Sequence, residues 1–183
     1  MRLFWAVPVP ANLGENIATS LEPVKRELKS ARWIPPSHFH FTLRFLGEQK
    51  DEAVPVLCRL LAKTFPAHKA FPVRLAGLGV FPSPAAPDVL WIGITEGSEE
   101  LRRLATDLNA ALALAGFPPD NRNLEPHLTV ARFPQAKPLP ENLLREGVDF
   151  DAGAGRAQDI ALMKSVLRPG GSIYTTLFRQ SLQ

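Results

Sequence analysis

The chain has 183 residues, 45% hydrophobic and 21% charged. That is enough apolar material for one folded domain and too much for a disordered or fibrous chain. Twenty-one Lys and Arg against 18 Asp and Glu leave a net +3, a mild basic bias that suits a small anionic ligand or an RNA end without specifying either. The single cysteine, Cys58, excludes a disulfide framework within the chain and a Cys-rich zinc site, and it fits a reducing, cytoplasmic setting. No run approaches the ~20 apolar residues of a membrane helix.

The opening Met1-Arg2-Leu3-Phe4-Trp5-Ala6-Val7 is superficially leader-like, but Pro8 and Pro10 interrupt it, so it reads as a first strand over residues 3–9. Leu13, Ile17, Leu21, Val24 and Leu28 then recur at helical spacing, with Asn12 as the expected cap and Pro23 as a kink. Residues 38–45 alternate: Phe39, Phe41, Leu43 and Phe45 lie on one face, His38, His40, Thr42 and Arg44 on the other. A helix is expected over 51–64, strands at 71–75 and 89–94, and a helix opened by Ser98 and closed by Gly116. A strand at 127–133, a short helix near 140–146 and strands near 148–151, 157–167 and 173–179 complete the chain. The turn Arg168-Pro169-Gly170-Gly171 joins the last two strands.

The order of elements repeats. Trp5 matches Trp91 and Asn12 matches Ser98 at an offset of 86, while His40 matches His127 and Val73 matches Ile160 at 87. That spacing is too long for a solenoid unit. It predicts an α+β fold of two pseudo-symmetric lobes, each an antiparallel sheet flanked by helices, forming a single bilobal domain over residues 1–183 with a cleft between the lobes.

The repeat carries chemistry. His40-Phe41-Thr42-Leu43 and His127-Leu128-Thr129-Val130 share the pattern His-apolar-Thr-apolar. With four histidines and eight threonines in the chain, His-x-Thr is expected by chance about 0.2 times, so two copies at the repeat offset are a strong signal. On a strand, residues i and i+2 project from one face roughly 6.5–7 Å apart, so each copy aims an imidazole and a hydroxyl at the same volume. Two histidines with ordinary pKa values near 6.5 can divide acid and base work near neutral pH. Two threonine hydroxyls can donate to the oxygens of a bound anion. A pentacoordinate phosphorus, with attacking and leaving oxygens on opposite sides, suits that symmetry. Symmetry alone does not say which histidine is the acid.

The paired motifs resemble those of the two-histidine (2H) phosphoesterases. Together with Phe45-Leu46-Gly47, Gly79-Val80-Phe81-Pro82, Val89-Leu90-Trp91, Pro126-His127-Leu128-Thr129-Val130-Ala131-Arg132, Ser165-Val166-Leu167, Gly171 and Tyr174, they are similar to the bacterial and archaeal RNA 2′,3′-cyclic phosphodiesterases, once named 2′-5′ RNA ligases. The resemblance spans nearly the whole chain. It implies metal-independent hydrolysis of a cyclic phosphate to a 2′-phosphomonoester, with reverse 2′-5′ joining under favourable mass action and no cofactor. It also implies His40 as proton donor to the leaving 3′ oxygen, His127 as proton acceptor from water, and Thr42 and Thr129 as phosphate ligands. The implied partner is an RNA with a 2′,3′-cyclic phosphate end, tRNA-like or another small RNA, acted on by a monomer away from any membrane.

Two arginines compete for the phosphate. Arg132 follows the second motif, as in the family, yet strand alternation puts it on the face of Leu128 and Val130 unless a bulge rotates it. Arg44 lies on the His40 face and is the physically simpler contact. His68 and His38 read as surface residues, and Phe39, Phe41 and Phe45 as core. Gly153-Ala154-Gly155 lacks the third glycine and following helix of a nucleotide loop. Two other functions fit the same residues: a phosphodiesterase for a small cyclic nucleotide of the ADP-ribose cyclic phosphate type, and a non-catalytic RNA-end binder, which would lack a bell-shaped pH profile.

Overall fold

A computed structural model describes residues 1–65, 68–120, 122–135, 137–169 and 171–183. The chain runs β1 (Arg2–Pro8), α1 (Ala11–Ser20), α2 (Glu22–Glu27), β2 (Arg32–Trp33), a 3₁₀ turn (Pro36–His38), β3 (His40–Glu48) and α3 (Ala53–Thr64). It continues through β4 (Phe71–Ser83), β5 (Ala86–Glu96), α4 (Ser98–Leu114), β6 (His127–Arg132), α5 (Glu141–Gly147), β7 (Asp151–Ala157), β8 (Asp159–Arg168) and β9 (Gly171–Ser181). Gly170, in the turn expected between the last two strands, lies outside the described residues.

The fold is α+β with antiparallel pairing throughout. Strand order is β7-β4-β5-β6-β3-β1-β8-β9, with β2 on β6. The two expected antiparallel half-sheets, β7-β4-β5-β6 and β3-β1-β8-β9, thus meet edge to edge in one curled sheet. The order reads the same from both ends: β6 answers β3, β5 answers β1, and β4 answers β8. Each half therefore takes an outer strand from the other half of the sequence, β4 going to β5 and β8 to β1. The join is one residue pair deep, Phe41 opposite Leu128.

The helices cover one face. Leu13, Ile17 and Leu21, Leu57 and Leu61, and Leu101, Leu104, Leu108 and Leu112 share a core with Trp5, Phe41, Leu43, Leu128 and Val130. Full burial of such side chains contributes about 1.5–3 kcal/mol each. On the opposite face Phe4, Ala6, Ala161 and Met163 form a small second cluster beside Tyr174.

Several boundaries differ from expectation for identifiable reasons. Pro10, not Asn12, occupies the cap of α1. Pro23 sits in the first turn of α2, where its missing N–H leaves no orphan, so the helical stretch divides at Leu21 rather than bending. Gly97 precedes α4 in place of Ser98, which is the first helical residue. Gly153-Ala154-Gly155 is strand, paired with β4, and a Cβ on Gly155 would meet Leu13 Cδ2 at 2.8 Å. The glycine there lets α1 lie close to the sheet. His68, expected in solvent, pairs through Nε2 with Asp107 at 3.1 Å.

Gly97 carries two constraints at once: φ of +87° and a Cβ position only 2.5 Å from the Pro72 carbonyl oxygen. Gly97→Ala is expected to destabilise the protein by about 1–3 kcal/mol. Urea unfolding should show a lower midpoint at an unchanged m-value; an unchanged midpoint would show that the β5–α4 junction tolerates a side chain.

Candidate active site

The Phe41–Leu128 pairing fixes the site. Extending that antiparallel register places His40 beside Thr129 and Thr42 beside His127, all on the face away from the helices. The four polar side chains flank that single pair in a square arrangement, the imidazoles on one diagonal and the hydroxyls on the other, with the strands parting on either side. All four are half-buried. The apolar residues of each motif do the anchoring, with Phe41 1%, Leu43 5%, Leu128 0% and Val130 0% exposed.

Each imidazole is held in the same way. His40 Nδ1 lies 2.7 Å from the carbonyl oxygen of His38, and His127 Nδ1 lies 2.7 Å from that of Glu125. A carbonyl only accepts, so each Nδ1 carries hydrogen and donates it. In the neutral ring Nε2 is then a lone-pair base; in the protonated ring it is an acid. Each ring also packs against two aromatic rings from other strands of the sheet. His40 packs against Phe4 of β1, centroids 5.0 Å apart, and edge-on to Tyr174 of β9 at 5.1 Å. His127 packs edge-on to Phe81 of β4 at 5.3 Å and beside Trp91 of β5 at 6.2 Å. Burial in this apolar setting pushes the His40 pKa below 6.5. The His38 carbonyl opposes that shift, while the charges of His38, Arg132 and His127 add to it.

Bulges reverse strand parity just beyond each threonine. The β1–β3 register slips between Trp5–Arg44 and Ala6–Thr42, and the β5–β6 register slips between Leu90–Ala131 and Trp91–Thr129. Successive residues Leu43 and Arg44, and likewise Val130 and Ala131, are therefore buried together. This overturns the alternation expected for the arginines. Arg44 turns away from His40 and is only 6% exposed. Its Nη1 donates to Asn109 Oδ1 on α4 and its Nη2 to the Pro118 carbonyl, so it fastens β3 to the loop that leads into β6. Arg132 turns the other way, onto the histidine face, where its charge acts on His40. Phe45, expected in the core, is 54% exposed and packs on Phe4 instead. The slip also re-pairs the repeat: Ala6, not Trp5, is the counterpart of Trp91, at an offset of 85.

Spacing and alternation give no role to the aromatic walls Phe4, Phe81, Trp91 and Tyr174, although three of them fall in segments that carry the family resemblance. They also pass over Arg32, which lies across from Arg132 on β2 and whose Nη1 donates to the Pro169 carbonyl at 3.0 Å. That bond ties β2, on β6, to the turn between β8 and β9 in the other half. His38, expected as a surface residue, supplies the carbonyl that fixes His40. Among the described residues no three His, Cys, Asp or Glu side chains form a metal-ligand set, and no helix is long and apolar enough to cross a membrane.

Gly79 makes the His127 wall possible. It faces Trp91 across β4 and β5, and a Cβ there would fall 2.1 Å from the indole ring. Gly79→Ala is expected to displace the indole, seen as a shifted tryptophan emission, and to lower turnover about tenfold through the neighbouring imidazole. Unchanged emission and turnover would show that the indole has no part in placing His127.

Known proteins are similar to this chain over most of their length. A sequence profile described as "2'-5' RNA ligase superfamily" matches residues 13–166. A protein of Aeropyrum pernix named RNA 2′,3′-cyclic phosphodiesterase is 35% identical over 170 residues, covering 92% of each chain. The crystal structure of TT0787 of Thermus thermophilus superposes with a TM-score of 0.80 at 29% identity, covering 100% of this chain and 98% of that one. Escherichia coli LigT in complex with 3′-AMP gives a TM-score of 0.77 at 25% identity over 99% and 97% of the two chains. With two His-x-Thr strands paired edge to edge and a profile match over most of its length, the chain belongs to the 2′-5′ RNA ligase superfamily.

Proposed function

We propose that the protein hydrolyses RNA 2′,3′-cyclic phosphodiester ends to 2′-phosphomonoesters by acid–base catalysis between two histidines, without a metal ion, the two half-sheets working as one unit. The observation that carries this reading is the square of His40, Thr42, His127 and Thr129, with both Nδ1 atoms tied to backbone carbonyls. Relatives named RNA 2′,3′-cyclic phosphodiesterase and the nucleotide complexes solved for LigT support it.

The square holds the groups the reaction needs, and the resemblance to the two-histidine phosphoesterases assigns their roles. His127 Nε2, neutral, takes a proton from water as the water oxygen bonds to phosphorus. His40 Nε2, protonated, gives its proton to the 3′ oxygen as the P–O3′ bond breaks on the opposite side. The product holds a 2′-phosphate and a 3′-hydroxyl, and the two imidazoles have exchanged protonation states, which solvent restores. Thr42 and Thr129 donate to the non-bridging oxygens, and Arg132 faces the charge that builds on them. Run in the same direction with a 5′-hydroxyl in place of water, the same steps join a 2′-5′ bond as the P–O3′ bond breaks.

A short RNA with a 2′,3′-cyclic phosphate, incubated with EDTA and no ATP, tests the function. It should yield the 2′-phosphate, with His40→Ala and His127→Ala each reducing turnover roughly 10²–10⁴-fold. Thr42→Ala and Thr129→Ala should each cost about 1.5–3 kcal/mol of transition-state stabilisation. Full activity in either histidine variant would overturn the acid–base pair, and no conversion by the folded wild type would overturn the substrate assignment. Arg132→Ala should lower the slope of log affinity against log salt by about one, whereas Arg44→Met, acting away from the phosphate, should leave it unchanged.

The lowered His40 pKa separates the roles by sign. If His40 is the acid, kcat/KM needs it protonated in the free enzyme. The limb belonging to His40 then falls as pH rises, with a midpoint below 6.5. His127→Ala isolates that limb: residual kcat/KM should decline toward high pH. A decline toward low pH would make His40 the base.

A further inference from the structure

The carbonyls that hold the two imidazoles are supported unequally. That of His38, which receives the Nδ1 hydrogen of His40, belongs to the 3₁₀ turn Pro36–His38. Backbone bonds close that turn, His38 N–H donating to the Pro35 carbonyl at 2.8 Å and Phe39 N–H to that of Pro36 at 3.1 Å. The Glu125 carbonyl, which serves His127 in the same way, lies in the irregular segment between α4 and β6. Among the described residues, no backbone–backbone hydrogen bond involves residues 118–126. Side chains hold this segment instead. Arg44 donates to the Pro118 carbonyl near its start, and Arg102 of α4 reaches Leu124 and Glu125 near its end.

The Arg102 guanidinium spans the gap between helix and loop. Its Nη1 donates to Glu99 Oε1 in the first turn of α4 at 2.7 Å. Its Nε donates to the Leu124 carbonyl at 3.3 Å, and its Nη2 lies 3.6 Å from Glu125 Oε2. The group is a rigid planar fork, so the pair with Glu99 sets the direction of the donors that face the loop.

We infer that Arg102 is a positioning residue for His127. The Leu124 carbonyl and the Glu125 N–H share one peptide plane, so a donor on that carbonyl limits rotation about φ of Glu125. Pro126 restricts ψ of Glu125 to the extended range. With both dihedrals limited, the Glu125 carbonyl keeps the direction that receives Nδ1–H of His127, and Nε2 stays free to act as the base. The inference rests on the role proposed above for His127, but the link from Arg102 to the His127 tautomer is measurable without turnover. Exposed ion pairs add little stability, so losing this one should be felt in the imidazole rather than in folding.

Arg102→Ala would be compared with wild type by nitrogen-15 NMR of labelled histidine, by urea unfolding and by steady-state kinetics on an RNA with a 2′,3′-cyclic phosphate end. Arg103→Ala, at an exposed position of the same helix, serves as the control and should match wild type. In Arg102→Ala, neutral His127 should pass from the Nδ1–H tautomer to a mixture with Nε2–H, while His40 keeps its own tautomer. The kcat should fall about tenfold with KM within about twofold, at an unchanged urea midpoint. The inference is overturned if His127 keeps its wild-type tautomer, if both histidines change together, or if kcat stays within about twofold of an active wild type. A wild type that does not turn over the RNA overturns the proposed function instead, and the His127 tautomer in Arg102→Ala then decides the inference alone.

Discussion

One backbone pairing, Phe41 opposite Leu128, holds the candidate active site together. Each of these residues is the apolar centre of a His-x-Thr motif, and each is buried in the helix-covered core. The side chains that pack the two half-sheets against the helices therefore also aim the polar side chains between them at the other face. Because the join is a single pair deep, the strands part on either side of it. The two histidines then lie on a diagonal across the junction. A longer pairing would flatten the junction; none at all would leave two unrelated sheets.

The bulges that flank the motifs give a nearly symmetric frame an asymmetric charge distribution. Both halves reverse parity at the same place, but one half carries Arg44 then Phe45 there and the other Ala131 then Arg132. The first half thus turns its arginine inward, where it clasps α4 and the loop before β6. The second turns its arginine out toward the histidines. The histidine face receives one guanidinium from this pair of positions rather than two. In the proposed reaction that cation faces a monoanionic diester, and its charge adds to the lowering of the His40 pKa.

Much of this is legible in the sequence, because much of it obeys simple periods. The helical leucines of α1, α3 and α4 and the period-two alternation of His40 to Leu43 are properties of local geometry, and they identify the paired motifs and the core face. What alternation does not show is where it stops. A bulge is set by pairing with a neighbouring strand, so alternation alone assigns Arg44, Phe45 and Arg132 to the wrong face and matches Trp5 with Trp91 one residue out of step. The aromatic walls escape notice for a similar reason. Phe81, Trp91 and Tyr174 belong to three different strands, and only the strand order places them beside the imidazoles. Gly97 replaces Ser98 at the start of α4 because close contact with Pro72, a tertiary constraint, outweighs the hydroxyl's capping propensity.

Catalysis of this kind depends most directly on both histidines presenting Nε2 to the phosphate while Nδ1–H is held by the carbonyl two residues earlier. Nitrogen-15 NMR of histidine-labelled protein, with His40 and His127 assigned by substitution, reads the tautomer of each ring in its neutral state. The mechanism predicts the Nδ1–H tautomer for both. An Nε2–H tautomer on His127 would contradict it, since that nitrogen, already carrying hydrogen, could not take a proton from water; on His40 it would show that Nδ1 does not donate to the His38 carbonyl.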